Sequence, residues 1–328
     1  MTGAARLVAG LLLTAAMARA GELPEPPPAH SFDFGTPGTG PGEFQRPHAV
    51  AADGDGNLYV TDILLHRVQK FGPAGAFLLE WGSPGTGDGQ FQGPRGIAAG
   101  AGNEIFVVDE DDRVQVFSSG GAFLRSWGRR GGIPGRFWLP QDVALDAAGD
   151  VYVVDTLNYR VQRFEPDGTF VLEWGEKGDG PGQFLRPAAI AVSGGGDVYV
   201  TGLSTRLQRF TSDGTYLGEW GGAGQGDGQF FNPVGLAVNP DGSVFVSDAV
   251  RVDVQKFDPA GAFLTRWGSR GSAAGQFDVC FGLAVNSAGD IHVTDTDNQR
   301  ISVFSGGVAA RPATWGATKA RFRGPGRR

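Results

Sequence analysis

The sequence predicts an all-β fold, a six-bladed β-propeller of four-stranded antiparallel blades, and a regular repeat is the first observation behind this prediction. A Trp-Gly pair recurs along the 328-residue chain at intervals of 46, 47, 46, 47 and 48 residues. The tryptophans of these pairs are Trp81, Trp127, Trp174, Trp220, Trp267 and Trp315. Apolar and polar residues between them alternate with a period of two, and no long stretch has the 3.6-residue period of a helix. A repeat of this length with several short β-runs is typical of propeller blades.

Each repeat contains the same four runs, which predict the four strands of a blade. The first is Gly-x-Phe-x-x-Pro, as in Gly42–Pro47, followed by small apolar residues that suit a crowded innermost strand; Cys280 replaces the proline in the sixth copy. The second is a β-rich run that ends in Asp, as in Leu58–Asp62. The third is Arg-Val-Gln-x-Phe, as in Arg67–Phe71, and the fourth is Phe-Leu-x-x-Trp-Gly, as in Phe77–Gly82. The chain's 55 glycines follow this repeat, which assigns them to turns.

The tryptophan at the end of the fourth run is expected to wedge between neighbouring blades, where an indole can bury about 150–250 Å². Phe32-Asp33-Phe34-Gly35 lies one period before the Trp81 pair and reads as a further copy of the fourth run. We therefore predict that residues 31–35 supply the outer strand of the last blade. The alternative is closure by residues 313–316, but Pro312 in that copy cannot donate to a strand ladder.

The ends of the chain differ in composition from the repeats. Arg6, the apolar residues 7–18 and Ala18-Arg19-Ala20 predict a signal peptide over residues 1–20. A Pro-rich leader follows over 21–30, the propeller spans 31–316, and residues 317–328 form a basic tail predicted to be disordered. The protein is therefore expected to be exported, either periplasmic or secreted, with no membrane span.

The charge of the chain argues against nucleic acid as a partner. The formal net charge is −7, but residues 21–316 hold 21 basic and 35 acidic residues, or −14. An acidic body repels phosphate backbones, so RNA recognition is disfavoured. Cys280 is the single cysteine, which excludes an intramolecular disulfide, and its place in a packing position predicts a buried, unreactive thiol.

The repeat resembles the NHL repeat, most clearly in Asp155-Thr-Leu-Asn-Tyr-Arg160-Val-Gln-Arg-Phe164 and in Asp295-Thr-Asp-Asn-Gln-Arg300. The resemblance covers residues 31–316 and implies an NHL-type propeller. It implies no function, because proteins of the same fold carry unrelated functional sites. Peptidylglycine amidating lyases are similar propellers with zinc-binding histidines just after such prolines. The equivalent positions here are His48, Arg95, Gln141, Ala188, Val234 and Phe281. One histidine does not make a three-ligand zinc site, so we expect no metal, cofactor or catalytic residue of that kind.

Several conspicuous residues have a structural interpretation. Asp and Arg recur four or five positions apart across the loop between the second and third runs, which predicts ion pairs that fix the loop: Asp62/Arg67, Asp109/Arg113, Asp155/Arg160 and Asp295/Arg300. Gly202 and Asp253 break this rule, so their loops should differ in shape. His292 occupies an aromatic core position. Asp109–Asp112 could bind Ca²⁺, although a solvated acidic loop is the preferred interpretation.

The residues that depart from the repeat predict a ligand-binding surface at the mouth of the propeller. The predicted ligand-binding residues are His48, His66, Arg95, Gln141, Asp142 and Tyr159. The mouth is polar in blades 1–3 and apolar in blades 4–6, with Leu64, Leu203 and Val250 in nearby loops. This favours a non-catalytic, extracytoplasmic binding scaffold, expected to be a monomer, whose loop face contacts a protein, peptide or glycan. The alternative is a metal-assisted lyase or hydrolase with its site at the mouth.

Overall fold

Six four-stranded antiparallel sheets make up the computed structural model, which describes residues 25–305. Before the first blade lie β1 (His30–Phe34), β2 (Thr36–Pro37) and β3 (Glu43–Phe44). Blade 1 consists of β4 (Pro47–Ala52), β5 (Leu58–Asp62), β6 (Arg67–Phe71) and β7 (Phe77–Trp81). Blade 2 consists of β8 (Pro94–Ala99), β9 (Glu104–Asp109), β10 (Arg113–Ser118) and β11 (Phe123–Trp127).

The remaining blades repeat this order. Blade 3 consists of β12 (Pro140–Leu145), β13 (Val151–Asp155), β14 (Arg160–Phe164) and β15 (Phe170–Trp174), with a 3₁₀ turn at Thr156–Asn158. Blade 4 consists of β16 (Pro187–Val192), β17 (Val198–Gly202), β18 (Arg206–Phe210) and β19 (Tyr216–Gly221). Blade 5 consists of β20 (Pro233–Val238), β21 (Val244–Asp248), β22 (Asp253–Phe257) and β23 (Phe263–Trp267). Blade 6 consists of β24 (Cys280–Val285), β25 (Ile291–Asp295), β26 (Arg300–Phe304) and β1.

The ring closes through the N-terminal strand, as predicted. β1 pairs antiparallel with β26, with Asp33 opposite Ser302, and Asp33 also forms an ion pair with Arg300 at 2.9 Å. The innermost strands contact one another around the whole ring, including β24 with β4, so each blade has two neighbours. The all-β six-bladed fold predicted from the repeat is therefore confirmed.

The hydrophobic core is divided into six clusters, one between each pair of neighbouring blades. Trp81 shows the arrangement: its ring centroid lies 6.2 Å from Tyr59 of its own blade and 5.7 Å from Phe117 of the next. Between blades 6 and 1 the same place is taken by Phe34, 4.9 Å from Phe71. The aromatic residues thus wedge between blades as expected.

Buried glutamines fix the loops that lead into the blades. Gln69 accepts a hydrogen bond from the Gly42 amide at 2.7 Å and donates one to the Glu43 carbonyl oxygen at 2.8 Å. Gln115, Gln162, Gln208 and Gln255 make the equivalent bonds in blades 2–5. Each Gly-x-Phe loop is thereby held on the third strand of its blade.

Three predictions fall on residues that the structure does not describe. The signal peptide (1–20), the basic tail (317–328) and the sixth tryptophan, Trp315, lie outside residues 25–305. Of the Pro-rich leader, residues 25–29 are described and run beside blade 5, where Glu25 pairs with Lys256 at 2.6 Å. Among the described residues, no helix has the length and apolar character needed to cross a membrane.

Candidate functional site

The loops between second and third strands and the loops that lead into first strands lie on one face of the ring, which we call the loop face. In every blade a backbone hydrogen bond joins the two kinds of loop, as in Ile63 to Arg46 at 3.2 Å and Leu157 to Trp138 at 3.0 Å. The central channel opens on this face. Any ligand of the mouth would therefore meet both sets of loops at once.

The channel is narrow. Its cavity has a volume of about 80 Å³ and is lined by the first residues of the innermost strands, among them His48, Gln141, Asp142, Ala188 and Val234. This volume holds a few water molecules and falls well below the several hundred Å³ of a typical small-molecule site. A peptide or a drug-sized molecule is therefore too large to bind inside the channel.

The third residues of the six innermost strands form a ring in the channel wall, and Asp142 is the exception in this ring. The other five members have a methyl group or no side chain: Ala49, Gly96, Ala189, Gly235 and Gly282. The Asp142 carboxylate accepts hydrogen bonds from the Val143 amide at 2.9 Å and from the Ile190 amide of blade 4 at 3.0 Å. Burial in the channel wall outweighs these two bonds and raises the pKa of Asp142 to about 7.

The bond from Asp142 to blade 4 replaces a contact that other blades make with a hydroxyl. Thr61, Ser247 and Thr294 donate hydrogen bonds to carbonyl oxygens on the innermost strand of the next blade. Blade 3 has Val154 at this position and cannot do so. Asp142 therefore ties two blades together, a structural role that also places a carboxylate in the channel.

His48 lies against the apolar side of the mouth. Its ring stacks on Phe281 with centroids 5.1 Å apart, and its Nδ1 atom is buried without a hydrogen-bond partner among the described residues. Burial, and then the charges of Arg95 and Arg46, lower the pKa of His48 to about 3. The imidazole is therefore neutral at physiological pH.

Arg95 is held by its neighbours. Its guanidinium donates to Gln141 Oε1 at 3.0 Å and forms an ion pair with Glu110. The structure thus brings Arg95, Gln141, Asp142 and His48 together around the channel. Arg95 and Gln141 already satisfy each other, so a ligand would have to compete with that bond.

His66 and Tyr159 are placed differently from the other four predicted residues. Both precede the third strand of a blade and have a left-handed backbone, with φ of 52° and 58°. The same conformation recurs at Asp112, Thr205, Val252 and Gln299, so it belongs to the repeat. Both side chains lie in the loops around the mouth rather than in the channel lining, and Tyr159 has the Lys177 ammonium 5.4 Å from its ring centroid.

The acidic loop of blade 2 is less solvated than expected. Asp109 and Asp112 are buried, and backbone amides satisfy their carboxylates. Asp109 accepts hydrogen bonds from Gln92 and Gly93, and Asp112 accepts one from Leu139. The interpretation as a solvated loop is wrong for these two residues. Within residues 25–305, no three His, Cys, Asp or Glu side chains are grouped so that they could hold one metal ion.

The repeated Asp–Arg pairs form in three of the four predicted blades. Asp155–Arg160 and Asp295–Arg300 each lie at 2.8 Å, and Asp109–Arg113 at 3.4 Å. In blade 1, Arg67 instead pairs with Glu80 and donates to loop carbonyl oxygens, while Asp62 accepts from backbone amides. His292 and Cys280 are buried as predicted, and burial raises the pKa of the Cys280 thiol.

In blade 5 another arginine makes the loop contacts of the arginine that Asp253 replaces. Arg251, two positions before Asp253, pairs with that carboxylate at 2.9 Å and donates to the carbonyl oxygens of Gly226 and Gln229. These are the loop positions that Arg67 and Arg160 contact in their own blades. The expected difference in loop shape is therefore small in blade 5, since the left-handed residue before the strand, Val252, is retained.

Exposed apolar side chains on the loop face were only partly found from the sequence. We define the apolar sector as five residues in the loops of blades 3–5: Ile133, Trp138, Leu203, Phe231 and Val250. Trp138 is 43% exposed and Phe231 is 40% exposed, while the equivalent positions in blades 1, 2 and 6 are Gln45, Gln92 and Asp278. Comparing the residue after each Gly-x-Phe across the six repeats would have revealed both aromatics.

Comparisons with known proteins agree with the architecture. The family model described as NHL repeat matches residues 137–164 and 277–304. No curated protein matches the chain. A virginiamycin B lyase from Staphylococcus aureus, solved with quinupristin, is 12% identical with a TM-score of 0.57, covering 82% of each chain.

Two further solved structures show the same likeness. A gluconolactonase from Xanthomonas campestris is 15% identical with a TM-score of 0.60, covering 86% of this chain and 98% of its own. A protein of unknown function from Bacteroides thetaiotaomicron is 18% identical with a TM-score of 0.61, covering 85% and 73%. At such identities the likeness is one of fold. The chain is therefore a six-bladed β-propeller that contains NHL repeats in blades 3 and 6.

Proposed function

We propose that this propeller is a non-catalytic binding module that acts outside the cytoplasm and recognises a protein or peptide with its loop face. The observation that carries the proposal is the apolar sector. Trp138 and Phe231 are exposed at positions where blades 1, 2 and 6 have Gln45, Gln92 and Asp278. A group of large exposed apolar side chains on one face of a soluble protein supports an interaction site there.

The energetics fit a protein or peptide ligand. Covering the exposed part of one such aromatic ring stabilises a complex by about 2 kcal/mol. Aromatic residues also dominate the energetic centres of protein interfaces. The polar half of the mouth, with His48, Arg95, Gln141 and Asp142, would then form the rim, and Tyr159 and His66 would border it.

Localisation and partner class follow from the sequence. The predicted signal peptide supports action in the periplasm or outside the cell, and the acidic body supports a partner other than nucleic acid. We expect the protein to act as a monomer without a cofactor. A glycan partner would depend on the same aromatic side chains, so the test below must identify the class of whatever binds.

The experiment compares variants that copy the repeat's own residues. Trp138→Gln with Phe231→Gln places at both positions the amide found at Gln45 and Gln92, which limits damage to folding. Leu78→Gln is the matched control, because Leu78 is 51% exposed on β7, the outer strand of blade 1. Crosslinked partners recovered with the full chain are quantified by mass spectrometry for each protein. We expect the double variant to lose them and the control to keep them; equal recovery from all three would refute the proposal.

A second candidate, an enzyme with its site in the channel, is favoured by one observation. Asp142, whose pKa is raised to about 7, lies in the same cavity as a neutral imidazole, and such carboxylates can transfer protons. Quinupristin and a gluconolactone are suitable probes, since the lyase and gluconolactonase folds resemble this one. Turnover that Asp142→Asn abolishes and Trp138→Gln leaves unchanged would establish this candidate. The small cavity volume favours the binding module.

A further inference from the structure

We propose that the partner of the apolar sector is a peptide segment in which acidic side chains alternate with apolar ones. This inference rests on the proposed function and names the chemistry of its ligand. It comes from the charges around the sector rather than from the apolar residues themselves.

Exposed cations without an ion-pair partner are concentrated beside the apolar sector. Most arginines of the described residues pair with a carboxylate, but three exposed arginines and one exposed lysine in the loops leading into blades 3 and 4 do not. We call these four the cationic rim: Arg129, Arg130, Lys177 and Arg186. Their charges face solvent next to Trp138, Tyr159 and Leu203, so a bound segment would meet both kinds of side chain.

Two members of the cationic rim are positioned over aromatic rings. The Arg130 guanidinium lies 5.2 Å from the Trp138 ring centroid, and the Lys177 ammonium lies 5.4 Å from that of Tyr159. Such cation–π contacts hold long side chains near one conformation and reduce the entropy lost on binding. A carboxylate arriving at Arg130 would therefore place the next apolar side chain of its segment against Trp138.

The nearby carboxylates are already engaged. Glu176 and Asp179 lie in the same loop as Lys177, but Glu176 accepts a hydrogen bond from Gln183 and Asp179 pairs with Arg206. The acidic body as a whole repels an acidic ligand at long range, but this repulsion is screened beyond about 8 Å at physiological salt. Contact pairs with the cationic rim therefore decide specificity, and a basic segment would meet like charges here.

The test is selection of peptides from a random display library on the immobilised full chain. We expect enriched sequences to combine Asp or Glu with Leu, Phe, Trp or Ile. A synthetic peptide of the enriched type should bind at least tenfold more weakly to the variant Arg130→Glu, Lys177→Glu, Arg186→Glu. Its affinity should also fall as salt is added.

Arg46→Glu is the matched control, because Arg46 precedes its proline as Arg186 does, is exposed and unpaired, and lies in blade 1, opposite blade 4. It should change the affinity less than twofold. Apolar peptides without acidic residues that bind through Trp138 and Phe231 would overturn this inference and leave the proposed function standing. Enriched basic peptides, or equal binding to the charge-reversed variant, would also overturn it. No enrichment on the native chain would overturn this inference, and recovery of crosslinked partners would then decide the proposed function separately.

Discussion

One carboxylate in a ring of glycine and alanine shows how a single residue can combine two roles. Asp142 ties blade 3 to blade 4 by accepting the Ile190 amide, in place of the hydroxyl that other blades use. Gly96 in blade 2 makes room for it, because a Cβ atom there would lie 2.5 Å from Asp142 Oδ1. The residue that joins two blades therefore also places a carboxylate in the channel, and the proposed role in proton transfer needs a test separate from the structural one.

Asp142 should make the stability of the protein depend on pH. Its pKa is about 7 in the folded protein and 3.8 in an unfolded chain, so between these values the folded state keeps a proton that the unfolded state has lost. The contribution of this proton to the free energy of unfolding is fully present below pH 3.8 and decreases as the pH rises to about 7. Urea unfolding at pH 4.5 and 7.5 should show the native protein losing about 3 kcal/mol relative to Asp142→Asn.

The asparagine at position 142 cannot accept both amides, but that cost is the same at the two pH values. Only the change between them reports the titration. A difference between native and variant that stays constant with pH would show that Asp142 is ionised throughout.

Gly96→Ala should destabilise the protein by about 3 kcal/mol, because the new methyl group would overlap the backbone and the carboxylate of Asp142. Gly102→Ala is the control, since a Cβ atom there meets nothing within 4 Å. Its free energy of unfolding should change by less than about 0.5 kcal/mol. Equal effects of the two substitutions in urea titrations would mean that the channel wall relaxes around the methyl group.

At the scale of the element, the loop of blade 5 shows that the repeat conserves a contact rather than a position. Arg251 reaches the carbonyl oxygens that the arginine at the strand start contacts elsewhere, and it neutralises Asp253. Arg251→Ala should therefore cost about 2 kcal/mol of unfolding free energy. Adding Asp253→Arg to that variant should restore most of the loss, because it recreates the arrangement of blade 3. No recovery in the double variant, measured by thermal and urea unfolding, would contradict this account.

Elements that repeat could be predicted from the sequence, and contacts between repeats could not. The Trp-Gly period gave six blades, and Phe34 indicated which terminal strand closes the ring. The Asp142–Ile190 bond joins residues 48 positions apart, and the buried state of Asp112 depends on the Leu139 amide 27 positions away. No pattern of neighbouring residues in the sequence predicts contacts over separations of this length. Trp138 and Phe231 can be recognised from the sequence only by comparing the residue after each Gly-x-Phe across the six repeats, because neither follows a proline or lies in a strand run.

At the scale of the whole molecule, the ring separates stability from recognition. Apolar clusters between blades hold the structure and include Phe137, Phe184 and Phe230 from the loops of blades 3–5, whereas the five residues of the apolar sector lie outside these clusters. The loop face can therefore gain aromatic and cationic residues at little cost to folding. This explains why residues of the apolar sector differ from the repeat, whereas the aromatic residues packed between blades do not.

Closure of the ring should make unfolding a single cooperative event, because no blade is terminal and each depends on two neighbours. Phe34→Ala weakens the cluster between blades 6 and 1, and Trp174→Ala weakens the opposite cluster, between blades 3 and 4. Each should lower the unfolding free energy by about 3 kcal/mol while tryptophan fluorescence and far-ultraviolet circular dichroism still report one coincident transition. Val171→Thr, on the exposed side of β15, is the control and should change little. A Phe34→Ala protein that unfolds in two steps would show that the blades form an open array joined only weakly by β1.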